Sequence, residues 1–180
     1  MFVAASTECY PELPLIDAIE RLSDLEFTSV VIPIHEDGEQ IKPSYVLDNL
    51  EQAITICRDT HRLDIAGYSC KFTSTGEQLY REFDACCKLA KATKVACLTV
   101  ESAELGTPFN EEVEHLRRLV DLATVEGTKV SIRTEIGRLS QDPDTVQVLC
   151  DNAKGLGATL DPSHYICGPF AGRGLSLIHI

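Results

Sequence analysis

The sequence predicts an α/β protein that contains about the first six βα units of a (β/α)8 barrel. Three observations indicate this fold. Short β-branched runs alternate with longer amphipathic segments. The strands begin about every 30 residues, which is the length of a βαβ repeat. The turn after the first strand, at residues 6–11, contains no glycine.

Six segments are predicted to be strands because they are short, rich in β-branched residues and apolar on both faces, like parallel strands covered by helices. They are Phe2–Ala5, Thr28–Ile34, Leu63–Tyr68, Lys94–Val100, Thr128–Thr134 and Gly157–Leu160. Pro33 lies inside the second strand and removes a ladder hydrogen bond. We therefore expect a β-bulge near the C-terminal end of that strand.

The segments between the strands repeat apolar residues with a helical period. The predicted helices are Pro43–Thr60, Glu77–Lys91, Pro108–Val125 and Pro143–Asp151. Thr107 and Asp142 each precede a proline suited to a first helical turn, so they are the expected N-caps. Gly127 and Gly155 lie where helices should end.

Alternating strands and helices form either an open doubly wound sheet or a closed barrel. An open sheet usually has a glycine-rich nucleotide-binding turn after its first strand. Residues 6–11 lack glycine, which favours the barrel. Because a complete barrel needs about 250 residues, the 180 residues of this chain correspond to an incomplete one.

The last six residues, Leu175–Ile180, resemble translated adapter sequence from DNA library preparation. We therefore expect residues 1–174 to form the partial barrel and Leu175–Ile180 to be a non-native tail, so that His179 is not a site residue. The alternative is a genuine seventh strand that begins at Leu175. An unclosed barrel would expose two sheet edges and apolar helix faces, which predicts poor solubility.

The charge of the chain excludes several kinds of partner. There are 28 acidic and 16 basic residues, giving a net charge of -12. Such a surface repels phosphate backbones and anionic lipids, so neither a nucleic-acid nor a membrane partner is expected. No apolar run approaches the roughly 20 residues that span a bilayer, and the N-terminus lacks the basic region of a signal peptide. These features predict a soluble cytoplasmic protein.

The eight cysteines contain no C-x-x-C pair and do not have the spacing of a thiolate metal site. In a chain of this length they also do not suggest a secreted disulfide framework. We expect reduced and mostly buried thiols.

Two acids follow predicted strands late in the chain. Glu135 follows the fifth strand and Asp161 the sixth. Because neighbouring barrel strands end at the same mouth, the two carboxylates could converge there. Their oxygens suit a divalent ion such as Mg²⁺ or Mn²⁺, and His164 could reach the same place. The alternative is that each acid is a helix cap or a solvated loop charge.

Two motifs carry a family resemblance. Thr134–Arg138 and Leu160–Tyr165 resemble strands 5 and 6 of the xylose isomerase-like TIM barrel superfamily. This superfamily contains sugar phosphate isomerases, ketose 3-epimerases and inosose dehydratases. Glu20 together with Phe27–Ile32 resembles its first helix and second strand, so the resemblance covers residues 1–174.

The resemblance implies a metal site. In the superfamily the ligands are Glu after strand 5, Asp after strand 6, His after strand 7 and Glu after strand 8. Glu135 and Asp161 would be the first two ligands for Mn²⁺, Mg²⁺, Co²⁺ or Zn²⁺. The other two have no counterpart here, so the site would be incomplete. Glu135 would also be the catalytic base, and His164 would bind substrate oxygens.

The implied activity is that of a sugar or sugar phosphate isomerase or epimerase, which moves a proton next to a carbonyl with the help of a metal ion. The partner would be a small sugar or sugar phosphate, and the resemblance also allows a homo-oligomer. The 180-residue chain is expected to be inactive because half of the ligands are missing. Gln141 and Val31 stand where some members carry acids, and these departures leave the substrate open.

The same fold supports three other functions. A dehydratase acting on a cyclic polyol would use the same fold, and so would a barrel that binds a sugar without catalysis. An endonuclease for abasic DNA would need a basic face and a histidine-rich metal cluster. The chain is acidic, and only His35 and His164 lie near strand ends, so the endonuclease is disfavoured.

Overall fold

A computed structural model of the chain describes residues 3–169. The tail expected at Leu175–Ile180 lies outside the described residues. Six strands alternate with helices, and they form one parallel sheet in sequence order, which confirms the predicted partial (β/α)8 barrel. The strands are β1 (Ala5–Ser6), β2 (Ser29–His35), β3 (Asp64–Lys71), β4 (Cys97–Val100), β5 (Lys129–Arg133) and β6 (Leu156–Thr159).

The four predicted helices are present, one of them divided in two, and the described residues include two further α-helices, one before β2 and one after β6. They are α1 (Leu15–Asp24), α2 (Pro43–Asp48), α3 (Leu50–Arg58), α4 (Gly76–Thr93), α5 (Phe109–Glu126), α6 (Pro143–Asn152) and α7 (Pro162–Cys167). The single helix predicted at Pro43–Thr60 is two helices, α2 and α3. They meet at Asn49, whose φ of -135° and ψ of 49° are not helical. Asparagine is prone to such breaks because its side chain competes for backbone hydrogen bonds.

Two predicted strands start three residues later in the structure, whereas the other four start within one residue of the prediction. The first was expected at Phe2–Ala5, but the residues that pair with β2 are Ala5 and Ser6. The fourth was expected from Lys94, but β4 begins at Cys97. Lys94 is the C-cap of α4 and has a left-handed φ of 62°, so the chain is still leaving the helix at that residue.

The prediction of a bulge at Pro33 is wrong. The irregularity in the pairing of β2 with β3 lies between Val30 and Val31, and Pro33 pairs in register with Ser69. His35 N bonds to Ile41 O, and Glu36 N bonds to Lys71 O on the β3 side. Because N–H directions alternate along a strand, the nitrogen of Pro33 lies on the side away from β3. There β1 has already ended at Ser6 opposite Val31, so the missing N–H disrupts no ladder.

The chain divides into two compact units. Unit 1 is Met1–Leu98 with Leu122–Thr128, and unit 2 is Thr99–Asp121 with Lys129–Ile180. Each has large, fully buried side chains. In unit 1 they include Ile19, Ile32, Tyr68 and Phe83, and in unit 2 they include Leu116, Ile132, Leu149 and Tyr165.

None of the described helices is both long and apolar enough to cross a lipid bilayer. All eight cysteines are free thiols. Four are buried, two are half-buried and two are exposed. The prediction of mostly buried thiols is therefore confirmed for four of the eight. The buried ones, Cys57, Cys70, Cys86 and Cys87, all lie in unit 1.

Candidate active site

Unit 2 has an acidic residue just beyond each of three consecutive strands. Glu101 directly follows β4, Glu135 lies beyond β5, and Asp161 lies beyond β6. In a barrel this edge of the sheet carries the reactive groups. Sequence reasoning identified Glu135 and Asp161 but missed Glu101, although the signal was the same, an acid at the end of a strand.

Asp161 is the N-cap of α7, as the alternative interpretation of this acid anticipated. Its Oδ1 accepts hydrogen bonds from Ser163 N at 3.0 Å and from Ser163 Oγ at 2.6 Å. The hydroxyl bond is the main reason that the pKa of Asp161 lies below its ordinary value. Oδ2 is not used by this cap and lies 3.5 Å from His164 Nε2. One oxygen therefore organises the helix while the other faces the histidine.

His164 connects the loops that follow β5 and β6. Its Nδ1 accepts a hydrogen bond from Ile136 N at 3.2 Å. A nitrogen that accepts carries no proton, so in the neutral ring the proton is on Nε2. Asp161 Oδ2 lies 3.5 Å from Nε2, which is longer than a normal hydrogen bond. His164 is therefore held as a donor through Nε2.

Glu135 has a partly buried carboxylate, one oxygen of which accepts no hydrogen bond. Its side chain is 29% exposed, and its backbone N donates to Ser140 Oγ at 3.3 Å. Oε2 is inaccessible to water and takes no hydrogen bond of proper geometry, although Arg138 Nε lies 3.5 Å away. The contact with Arg138 is thus electrostatic, and no hydrogen bond uses the lone pairs of Oε2.

Arg138 joins two of the three acids and was also missed by sequence reasoning. Its Nη2 donates to Glu101 Oε2 at 2.5 Å, and its Nη1 donates to Ser102 O at 2.8 Å. Since Nε lies beside Glu135, one guanidinium bridges the acids after β4 and β5. Charge-assisted contacts of this kind fix geometry more firmly than neutral ones.

Buried polar groups hold these loops together. Ser140 is fully buried, and its N donates to Ser102 Oγ at 3.0 Å. Tyr165 in α7 donates its hydroxyl to Ser140 O at 3.0 Å. Glu112 in α5 is 2% exposed and accepts a hydrogen bond from Ala103 N at 2.9 Å. These hydrogen bonds therefore cross-link the loops that carry the candidate site residues.

The residues present fit a divalent ion only in part. Glu135 and Asp161 offer hard carboxylate oxygens, and Glu135 Oε2 is a shielded atom without a hydrogen bond, as a metal ligand would be. The positive charge of Arg138 lies beside Glu135 Oε2 and would repel a metal ion bound to that oxygen. Among residues 3–169, no three His, Cys, Asp or Glu side chains are arranged to hold a metal ion. The described site thus supplies two candidate ligands.

Comparison with known proteins finds similarity in structure but not in sequence. No family model matches the chain, and no curated protein is similar to it in sequence. A xylose isomerase-like TIM barrel protein from Mycobacterium smegmatis, solved in complex with magnesium, matches 98% of this chain and 71% of its own, with 13% identity and a TM-score of 0.75.

Two enzymes have the same architecture. The 3-keto-D-glucoside 4-epimerase YcjR from E. coli matches 99% of this chain and 74% of its own, with 11% identity and a TM-score of 0.73. The probable 3-DHS dehydratase AsbF from Bacillus anthracis matches 91% of this chain and 64% of its own, with 13% identity and a TM-score of 0.70. The chain thus spans less than two thirds of the dehydratase.

Identities this low establish the fold and not the activity. They confirm, at the level of the fold, the resemblance carried by the motifs around Glu135 and Asp161. The chain has the fold of the xylose isomerase-like TIM barrel proteins.

Proposed function

We propose that the protein is a metal-assisted isomerase or epimerase of a small sugar or sugar phosphate. The observation that carries this proposal is the shielded Oε2 of Glu135, which takes no hydrogen bond. Glu135 precedes Ile136, whose N–H bonds to His164. Nε2 of His164 in turn lies 3.5 Å from Asp161 Oδ2. An epimerase among the proteins of the same fold supports this kind of activity.

Each residue of the cluster has a chemical role in the proposal. A divalent ion held by Glu135 and Asp161 would polarise the carbonyl and hydroxyl oxygens of an open-chain sugar and lower the cost of the enediolate. Glu135, whose side chain is 29% exposed, would take the proton from the carbon next to the carbonyl. His164 would donate its Nε2–H to a substrate oxygen, as its bond from Ile136 N requires. Arg138 would hold Glu135 in place.

A dehydratase acting on a polyol is the second candidate, and Gln141 is the observation that favours it. Some epimerases carry an acid at this position, which lies six residues after the strand-5 glutamate. Here Gln141 Oε1 accepts a hydrogen bond from Gly137 N at 3.1 Å, so the side chain serves the loop. Loss of water needs a base to remove one proton, a role for Glu135, and a donor that protonates the leaving hydroxyl group, for which the Nε2–H of His164 would serve.

The site proposal is tested by Mn²⁺ binding to the 180-residue chain, measured by electron paramagnetic resonance. We expect weak binding that Glu135→Gln and Asp161→Asn each reduce several-fold, since each removes one charged ligand. Glu114→Gln, which changes an exposed acid of α5, is the matched control. Equal Mn²⁺ affinities in all four proteins would refute the site.

The chemistry is tested by deuterium exchange. The chain is incubated with Mn²⁺ and a panel of ketoses and cyclic polyols in D2O, and deuterium uptake is followed by mass spectrometry. We propose that residues 1–180 give no turnover, because the described residues provide two ligands. Turnover that Glu135→Gln abolishes would contradict this inactivity and support the assigned base. Turnover that survives Glu135→Gln would refute the base.

A further inference from the structure

Tyr165 is a buried polar residue to which the proposed function gives no role. It follows His164 in α7, and only 2% of it is exposed. Its hydroxyl donates a hydrogen bond to Ser140 O at 3.0 Å. Burial raises the pKa of Tyr165 to about 12, and a contact with the Thr134 hydroxyl opposes this rise only in part. The hydroxyl therefore keeps its proton at neutral pH and remains a donor.

Thr134 and Ser140, which both contact the Tyr165 hydroxyl, each hold the backbone of a candidate metal ligand. Both are fully buried. Thr134 Oγ1 accepts a hydrogen bond from Asp161 N at 2.7 Å, and Ser140 Oγ accepts one from Glu135 N at 3.3 Å. Because the backbone of a residue fixes where its side chain begins, these contacts set the positions from which the two carboxylates extend.

The loop after β5 is also held by the segment after β4. Ser140 N donates to Ser102 Oγ at 3.0 Å, and Leu139 N donates to Ala103 O at 2.9 Å. These contacts do not involve Tyr165, so they remain when its hydroxyl is removed. The buried carbonyl of Ser140 would then lose its bond from α7, at a cost that a small displacement of the loop would relieve. We therefore expect the loop to shift and the fold to persist.

Two carboxylates bind one metal ion only if their oxygens can reach it together, and a binding constellation tolerates displacements of only about 0.5 Å. We propose that Tyr165 is a positioning residue, whose buried hydroxyl keeps the loop after β5 and the start of α7 at the separation that lets Glu135 and Asp161 share a metal ion. This proposal rests on the proposed metal-assisted function. It adds that the affinity for the ion depends on a residue outside the ligand set.

The first test compares Tyr165→Phe with the native chain. Mn²⁺ binding, measured by electron paramagnetic resonance, should weaken about threefold, since one hydrogen bond that orders the site is lost. Tyr45→Phe removes a hydroxyl that bonds to Gln52 Oε1 in unit 1, so it is the matched control and should keep the native affinity. Without metal, the amides of Glu135 and Asp161 should exchange with D2O faster in Tyr165→Phe, as followed by NMR.

A double variant separates positioning from a general loosening of the fold. Glu135→Gln removes one of the two charged ligands, so the separation between Glu135 and Asp161 no longer matters in that background. Adding Tyr165→Phe to Glu135→Gln should therefore not weaken Mn²⁺ binding further. If Tyr165 only stabilised the fold, the two substitutions would act independently and their effects on the affinity would multiply.

Native Mn²⁺ affinity in Tyr165→Phe, or the same loss in both backgrounds, would overturn the proposal. Equal affinities in the native chain and in Glu135→Gln would remove the metal site and this proposal with it. A loss in Glu135→Gln without one in Tyr165→Phe would remove this proposal alone. If Tyr165→Phe lacks the dispersed spectrum of a folded protein, Thr134→Val takes its place with the same expected pattern, because it removes the hydroxyl that holds Asp161 N.

Discussion

The backbone amide of Ile136 donates a hydrogen bond to Nδ1 of His164 at 3.2 Å. This contact means that the loop after β5 determines which nitrogen of a histidine in α7 carries the proton. The other ring nitrogen, Nε2, lies 3.5 Å from Asp161 Oδ2. The orientation of His164 is therefore set by two separate segments of unit 2.

The first prediction concerns the tautomer of His164. In the neutral ring we expect the Nε2–H form, because Nδ1 is occupied as an acceptor. Long-range ¹H–¹⁵N correlation spectra of the imidazole distinguish the two tautomers. His164→Asn should retain an acceptor for Ile136 N, whereas His164→Leu should not, so the amide signal of Ile136 should move more in the leucine variant. An Nδ1–H pattern in the native protein would contradict the assignment.

The second prediction concerns the buried carboxyl of Glu112. Burial raises the pKa of Glu112, and the Ala103 amide and the charge of Arg138 oppose this only in part. The folded state therefore holds the proton more tightly than the unfolded chain. The effect of this group on the free energy of unfolding is most favourable below the unfolded pKa, and it declines as pH rises through the folded value.

Two variants separate the charge of Glu112 from its hydrogen bond. Glu112→Gln removes the charge but keeps an acceptor for Ala103 N, so it should be at least as stable as the native protein at pH 7, with any gain lost near pH 4. Glu112→Ala should cost about 1–3 kcal/mol at both pH values, because it leaves a polar group unsatisfied. Urea unfolding at the two pH values measures both effects. A Gln variant as unstable as the Ala variant would argue against this account.

The third prediction concerns the thiols. Burial raises the pKa of Cys57 to about 11 and that of Cys87 to about 12, so almost no thiolate is present at pH 8. Cys9 and Cys167 are exposed. In the native protein we expect Ellman's reagent to label these two first and the buried thiols only on unfolding.

The control for thiol reactivity is the chain in guanidinium chloride, where all eight cysteines should react quickly. Cys9→Ser should remove one fast-reacting thiol without changing the slow ones. Rapid labelling of Cys57 or Cys87 in the native protein, detected by peptide mapping, would show that their environment opens more readily than the packing implies.

The strands and most helices were predictable because their signals are local. Apolar periodicity identifies β2 and α5, and Asp142 followed by proline marks the start of α6. The break at Asn49 was not predictable, since a continuous apolar period runs through it. Pro33 was misplaced because its effect depends on the neighbouring strand. The irregularity of β2 is at Val30 and Val31 instead.

The candidate site was predictable where a residue's position after a strand is informative, as for Glu135 and Asp161. The bridge from Glu101 to Arg138 was not, because it joins residues that are distant in sequence through side-chain geometry. The double role of Asp161, as a helix cap and as a partner of His164, likewise depends on which oxygen points where. The burial of Glu135 Oε2 could not be predicted either, because it depends on how the surrounding loops pack.

The last prediction concerns the competition between Arg138 and a metal ion for Glu135. The guanidinium lies 3.5 Å from Glu135 Oε2 and repels a divalent cation there. Two unit charges about 4 Å apart interact by about 1 kcal/mol in water, and a divalent ion doubles this value, so Arg138→Gln should strengthen Mn²⁺ binding by at least about fivefold. Lys154→Gln removes an exposed charge of the same unit and is the control.

Glu101→Gln should have the opposite effect on Mn²⁺ binding. It removes one of the two carboxylates that are paired with the Arg138 guanidinium. The ion pair between Arg138 and Glu135 should then become stronger. Opposite signs for Arg138→Gln and Glu101→Gln, with Lys154→Gln near the native value, would establish that the bridge controls access to Glu135. Weaker Mn²⁺ binding in Arg138→Gln would instead mean that the arginine mainly orients the carboxylate and that its repulsion of the metal ion is secondary.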